Sequence, residues 1–120
     1  MARIKDIRAK RAYDDADQGD GVRVLVDRLW PRGLKKDDAR LDEWCKEIAP
    51  SQELRKWYGH EPERYDEFVK KYADELQDKE HREALEHLRQ IGDGKVVTLL
   101  SATKDLELSQ VPTIVAALRE

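Results

Sequence analysis

At 120 residues the chain is long enough for one domain with a real core and too short for two, so residues 1–120 are read as a single α/β domain. A formal net charge of −3 sets up no global field toward nucleic acid or acidic lipid, and 41% charged against 39% hydrophobic residues fits a small fold with many solvated helix faces. No stretch approaches the roughly 20 apolar residues of a membrane span, no apolar signal-peptide core opens the chain, and the lone Cys45 cannot form an intramolecular disulfide, so a cytoplasmic location is expected.

Residues 3–9 alternate apolar and charged side chains around Ile7 and Ala9, the pattern of a weak half-exposed or edge strand. An acidic loop with two glycines, 15–21, supplies turn chemistry. Residues 22–26 are mostly β-branched and aliphatic and read as a buried strand, which reaches to about residue 28. Pro31 cannot donate to a ladder, so the strand must end by Trp30.

Past Gly33 the period changes. Leu41, Trp44, Cys45 and Ile48 fall at i, i+3, i+4 and i+7, which predicts a helix capped by Asp37 or Asp38 and stopped by Pro50. Ser51 is placed to cap a second helix with Leu54, Trp57 and Tyr58 on its apolar face, closed by Gly59 in a left-handed turn. Pro62 suits a first helical turn, and Tyr65, Phe68, Val69, Tyr72 and Leu76 mark a third helix. Ala84, Leu85, Leu88 and Ile91 mark a fourth, in which His81 and His87 are read as solvated. A turn at 92–94 leads into a second buried strand, 95–100. A final helix carries Val111, Ile114, Val115 and Leu118, with Ser109 as its cap.

Strands separated by helices pair in parallel. The expected fold is therefore α/β: a small, mostly parallel sheet of two or three strands covered by four or five helices. The predicted core is Val24, Val26, Leu41, Trp44, Phe68, Val97, Leu99, Ile114 and Leu118.

Four segments carry a resemblance: 10–14 (Lys-Arg-Ala-Tyr-Asp), 24–33 (Val-Leu-Val-Asp-Arg-Leu-Trp-Pro-Arg-Gly), 49–57 with Ala49, Pro50, Ser51, Leu54, Arg55, Lys56 and Trp57, and 98–105 with Thr98, Leu99, Leu100, Lys104 and Asp105. In these the chain resembles the YeaO-like family of small bacterial proteins of unknown function. The resemblance implies an α/β fold and no particular activity. The chain departs from the family pattern at Ser101, where a tyrosine is usual, and at Ser109-Gln110-Val111, where Asn-His-Ala is usual. A Cys-His-Arg turn of more distant relatives has no counterpart here, which argues against a cysteine nucleophile.

In an open α/β sheet ligands bind at the carboxyl ends of the strands. Asp27, Arg28, Trp30 and Arg32 follow one predicted strand; Ser101, Lys104 and Asp105 follow the other. Arg28, Arg32, Arg55 and Lys104 suit an anion, since a guanidinium fork pairs bidentately with carboxylate or phosphate. Trp30 could stack on a planar ligand, and Ser101 could add a hydroxyl. The competing reading pairs these cations internally with Asp27, Asp105 or a helix end. Asp27, Asp105 and His60 are the available acid–base groups. The three histidines and Cys45 lack metal-ligand spacing, so neither metal nor other cofactor is expected.

Two function classes follow. One is binding of, and action on, an anionic small molecule at the carboxyl edge of the sheet. The other is a non-catalytic interaction or regulatory module that contacts a protein or nucleic acid through Lys10, Arg11, Arg28 and Arg32. The acidic total charge disfavours nucleic acid. Three tryptophans and four tyrosines leave room for a homo-oligomer interface. Convergence of the cations in one concavity separates the first class from the second.

Overall fold

A computed structural model describes residues 2–120 of the chain. Strands β1 (Asp6–Arg11), β2 (Val22–Leu25), β3 (Glu43–Trp44) and β4 (Val96–Ser101) form one parallel sheet in the order β1-β4-β2-β3. Leu25 stands opposite Leu100, and Arg11 opposite Ser101, so β1, β2 and β4 end along one edge. The sheet is parallel and α/β as expected, with four strands rather than two or three. β1 is the predicted edge strand. β2 is shorter than expected: one further bond, from Val26 N to Leu100 O at 3.0 Å, closes the ladder before Asp27.

The β-strand alternation sorts the central residues onto two faces. Val24, Val26, Val97 and Leu99 join the larger core with Phe68, Tyr72, Leu88 and Ile114. That face is covered by α2 (Gln52–Tyr58), α3 (Tyr65–Glu75), α4 (Lys79–Ile91) and α5 (Val111–Leu118). Leu25 and Leu100 point the other way, under Trp30, Leu34, Leu41 and Trp44. Of the predicted core, Leu41 and Trp44 are only half-buried, because they lie on this thinner cover.

The helix predicted through residues 41–48 does not form. A four-residue helix, α1 (Lys36–Ala39), ends at Arg40, whose φ of 46° is left-handed. Asp42 then accepts a hydrogen bond from Arg23 N (2.9 Å) and returns one from its own N–H to Arg23 O (2.9 Å). These bonds dock the chain beside β2, and Val24 and Leu25 pair with Glu43 and Trp44. The helical spacing of Leu41, Trp44, Cys45 and Ile48 is thus overridden by strand pairing.

The other helices follow their sequence signals. The Ser51 hydroxyl accepts from Leu54 N at 3.1 Å, and Gly59 closes α2 with a φ of 54°. Ser109 accepts from Val111 N at 3.1 Å, although Gln110 occupies the residue before α5. Gly21 enters β2 with a φ of 64°, and a Cβ there would meet Val96 O at 2.2 Å, so β2 and β4 approach at a point that only glycine fits.

Under the second face lies an ion cluster. Arg23, 4% exposed, pairs with Asp20 and donates to Ala39 O at 3.0 Å and Arg40 O at 3.1 Å. Lys10 reaches Asp20 at 3.0 Å. Burial alone would push the Asp20 carboxyl up. The Asp17 N–H and the cations of Lys10 and Arg23 outweigh it and hold the group below its ordinary value.

Candidate functional site

The segment 48–51 is fixed by side chains from three directions. Tyr72 donates its hydroxyl to Ile48 O. Arg28 donates to Ala49 O at 3.2 Å and to Pro50 O at 3.4 Å. The Glu75 carboxylate holds Ser51 through its N–H (2.9 Å) and its hydroxyl (2.5 Å). His81 completes the set. It is buried rather than solvated, with Nε2 at 3.0 Å from Ala49 O and Nδ1 at 2.8 Å from Asp78. His87 stays half-exposed and meets Glu43 at 2.6 Å.

This braced segment forms one wall of a cleft of about 350 Å³. The turns after β2 and β4 form the opposite walls, so the cleft opens at the carboxyl edge of the sheet. The size lies within the range of about 300–1,000 Å³ seen for small-molecule sites. Asp27, Arg28, Trp30, Arg32, Arg55, His60 and Ser101 all line it.

At its floor, Asp27 is held by three donors. Ser101 Oγ (2.7 Å) and Gln110 Nε2 (2.8 Å) donate to Oδ1, and Ala102 N (2.8 Å) donates to Oδ2. Gln110 also donates to Val26 O at 3.2 Å. Behind the floor, Tyr58 donates to Leu108 O (2.7 Å) and Tyr65 to Ser109 O (2.9 Å), which fixes the backbone that leads into Gln110. Burial, followed by the charge of nearby Asp105, pushes the Tyr58 hydroxyl above its ordinary pKa; burial also leads the rise at Tyr65. Both therefore remain donors at neutral pH.

The rim is cationic and aromatic. Arg32 and Arg55 are exposed, and among the described residues neither guanidinium makes a hydrogen bond or ion pair. Arg28 is different: its guanidinium is engaged with the carbonyls at 49 and 50. Trp30 is locked by its indole N–H on Leu34 O (2.7 Å) and by an edge contact with Trp44, the ring centroids 5.4 Å apart. His60 sits at a φ of 59°, with its ring 6.2 Å from that of Tyr58.

Two expected members do not line the cleft. Lys104 is exposed outside it, and Asp105 accepts from Glu107 N at 3.1 Å as the cap of a short turn. The chain turns outward after Thr103, whose carbonyl is held by Arg11 at 3.1 Å. Asp105 is thus a capping residue. Conversely, Gln110, Tyr58 and Tyr13 line the cleft without having been expected there. Gln110 had a signal: a long amide side chain between a strand end and a helix start.

Cys45 is buried in the core, and burial, with the charges of Glu47 and Glu43, raises its thiol to about 11. Among the described residues, no helix is long and apolar enough to cross a membrane.

A family model described as the inactive DUF488-N3 subclade matches residues 6–120. The chain belongs to that family. It is 48% identical over 100 residues to the uncharacterised protein YeaO of Escherichia coli K12, covering 83% of this chain and 85% of that one. It is 47% identical over 114 residues to an uncharacterised protein of Mycobacterium tuberculosis H37Rv, covering 95% of this chain and 94% of that one. The YeaO-like resemblance seen in the sequence is therefore borne out. No solved structure matches the chain significantly.

Proposed function

We propose that the protein binds an anionic small molecule in the cleft at the carboxyl edge of its sheet, as a binding rather than a turnover protein. The observation that carries this reading is the pair Arg32 and Arg55 on the rim of one concavity, each guanidinium free of protein partners among the described residues. A bidentate fork without an internal acid favours an external carboxylate or phosphate. The rigid indole of Trp30 and the braced 48–51 segment supply a preformed wall, which lowers the ordering cost of binding.

Three features support binding without chemistry. Asp27 is tied to three donors, Cys45 is a buried neutral thiol, and the family is described as inactive. The alternative interaction module is less well supported. Of its four basic residues, Lys10 is engaged with Asp20, Arg11 with Thr103 O and Arg28 with the 49–50 carbonyls, which among the described residues leaves only Arg32 of the four as a free cation.

The test is thermal denaturation in phosphate and in chloride at equal ionic strength. Millimolar phosphate should raise the melting temperature of the wild type more than chloride does, and Arg32→Ala and Arg55→Ala should lose the difference while staying folded. An equal phosphate response in all three proteins removes the reading.

A further inference from the structure

Asp27, Ser101 and Gln110 place polar groups in the cleft, and these specify more than an anion. Gln110 Nε2 faces two acceptors, Val26 O at 3.2 Å and Asp27 Oδ1 at 2.8 Å, so both of its hydrogens are committed and the orientation of the amide is fixed by its neighbours. Its Oε1 is left as an acceptor with no partner among the described residues. Asp27 Oδ1 already takes two hydrogen bonds, but Oδ2 takes only one, from Ala102 N. A carboxylate oxygen has room for two. Asp27 and Gln110 are bonded to each other and both line the cleft, so its floor carries two acceptors with room for a donor, one anionic and one neutral. The rim presents the free cations Arg32 and Arg55.

These two ends exclude a simple anion lying deep in the cleft, because the Asp27 carboxylate would repel it. They orient a ligand with its charge outward. On this basis, and resting on the binding function proposed above, we infer that the ligand is a phosphorylated polyhydroxy compound of sugar-phosphate type. Neighbouring hydroxyls reach Asp27 Oδ2 and Gln110 Oε1, and the phosphate lies between Arg32 and Arg55. Acceptors on two bonded side chains match a pair of neighbouring hydroxyls, each of which can donate one hydrogen. A single ammonium group, with three N–H donors, is the rival partner for the same two acceptors, and phosphoethanolamine is the probe that tests it. Trp30 lines the same cleft with an indole held in place.

Isothermal titration with three probes tests this: ribose 5-phosphate, inorganic phosphate and phosphoethanolamine. Two added hydrogen bonds, one of them to a charged acceptor, should make ribose 5-phosphate bind the wild type at least about tenfold more tightly than phosphate. Gln110→Met, checked for native circular dichroism, should narrow that gap by about threefold or more, the share of one neutral hydrogen bond, while leaving the phosphate affinity in place. Arg32→Ala should weaken both ligands together. Equal affinity for ribose 5-phosphate and phosphate in the wild type, with both lost in Arg32→Ala, overturns the sugar-phosphate assignment and leaves the anion site standing. Tighter binding of phosphoethanolamine than of ribose 5-phosphate also overturns it. Failure of all three probes to bind removes the anion site as well. The wild-type comparison decides the matter even if Gln110→Met does not fold.

Discussion

Arg23→Met tests the buried ion cluster that anchors β2 to the segment before β3. The substitution keeps a long side chain in the strand but removes the charge beside Asp20 and the donors to Ala39 O and Arg40 O. Removing one partner of a buried pair costs about 3–5 kcal/mol. Lys10 still reaches Asp20 at 3.0 Å, which places the expected loss at the lower end, about 3 kcal/mol. For a chain of this length that is a fall in melting temperature of about 9–15 °C. Urea denaturation should show a lower midpoint with an unchanged slope. The loss also has a pH signature. Asp20 has a lowered folded pKa, so its contribution is present above the unfolded value of about 4 and is lost as pH falls through the folded value. The difference between wild type and variant should accordingly be largest at neutral pH and shrink below about pH 4. A loss under about 1 kcal/mol, or a difference that stays constant down to pH 3, refutes the reasoning.

Phe68→Ala should cost about 3–5 kcal/mol by equilibrium denaturation, because Phe68 is 2% exposed and stacks on Tyr58 at 4.5 Å; a loss below about 1 kcal/mol contradicts the packing of α3. Cys45, its thiol raised to about 11, should react with a disulfide reagent at pH 7.5 only as fast as the protein opens, so labelling of the native protein within seconds contradicts its burial. Gly21→Ala should destabilise by at least about 2 kcal/mol, since its Cβ would meet Val96 O in a backbone conformation that alanine disfavours; a neutral effect would mean that β2 and β4 do not approach as described.

The strands and helices that were legible in the sequence had local signals that agreed with the tertiary structure. Val22, Val24, Leu25 and Val26, and likewise Val96, Val97, Leu99 and Leu100, are aliphatic because both faces of the sheet are covered there. Ser51, Gly59 and Pro62 act at the chain positions their chemistry favours. β3 was illegible because two paired residues leave no periodic trace, while the residues around it happen to repeat at helical spacing. Arg23 was absorbed into the aliphatic run, although an arginine inside a buried strand three residues after Asp20 signals an internal pair. His81 was hidden in a charged helix, since its partner Ala49 O lies 32 positions away and is a backbone atom. The cleft was legible as a place, from strand ends and arginines. Lys104 was misplaced because strand order fixes where β4 ends but not which way the chain turns after Thr103.

The most direct measurement of the anion site is a phosphate titration of the 15N-labelled protein, following backbone amides together with arginine Nε–H signals at constant ionic strength. The expected result is saturable shifts at Arg32 Nε–H and Arg55 Nε–H that fit one dissociation constant, with the Arg55 shift lost in Arg32→Ala. Shifts that stay linear in phosphate, or that gather instead at Arg3, Lys5 and Arg119 in the groove at the other end of the molecule, contradict it.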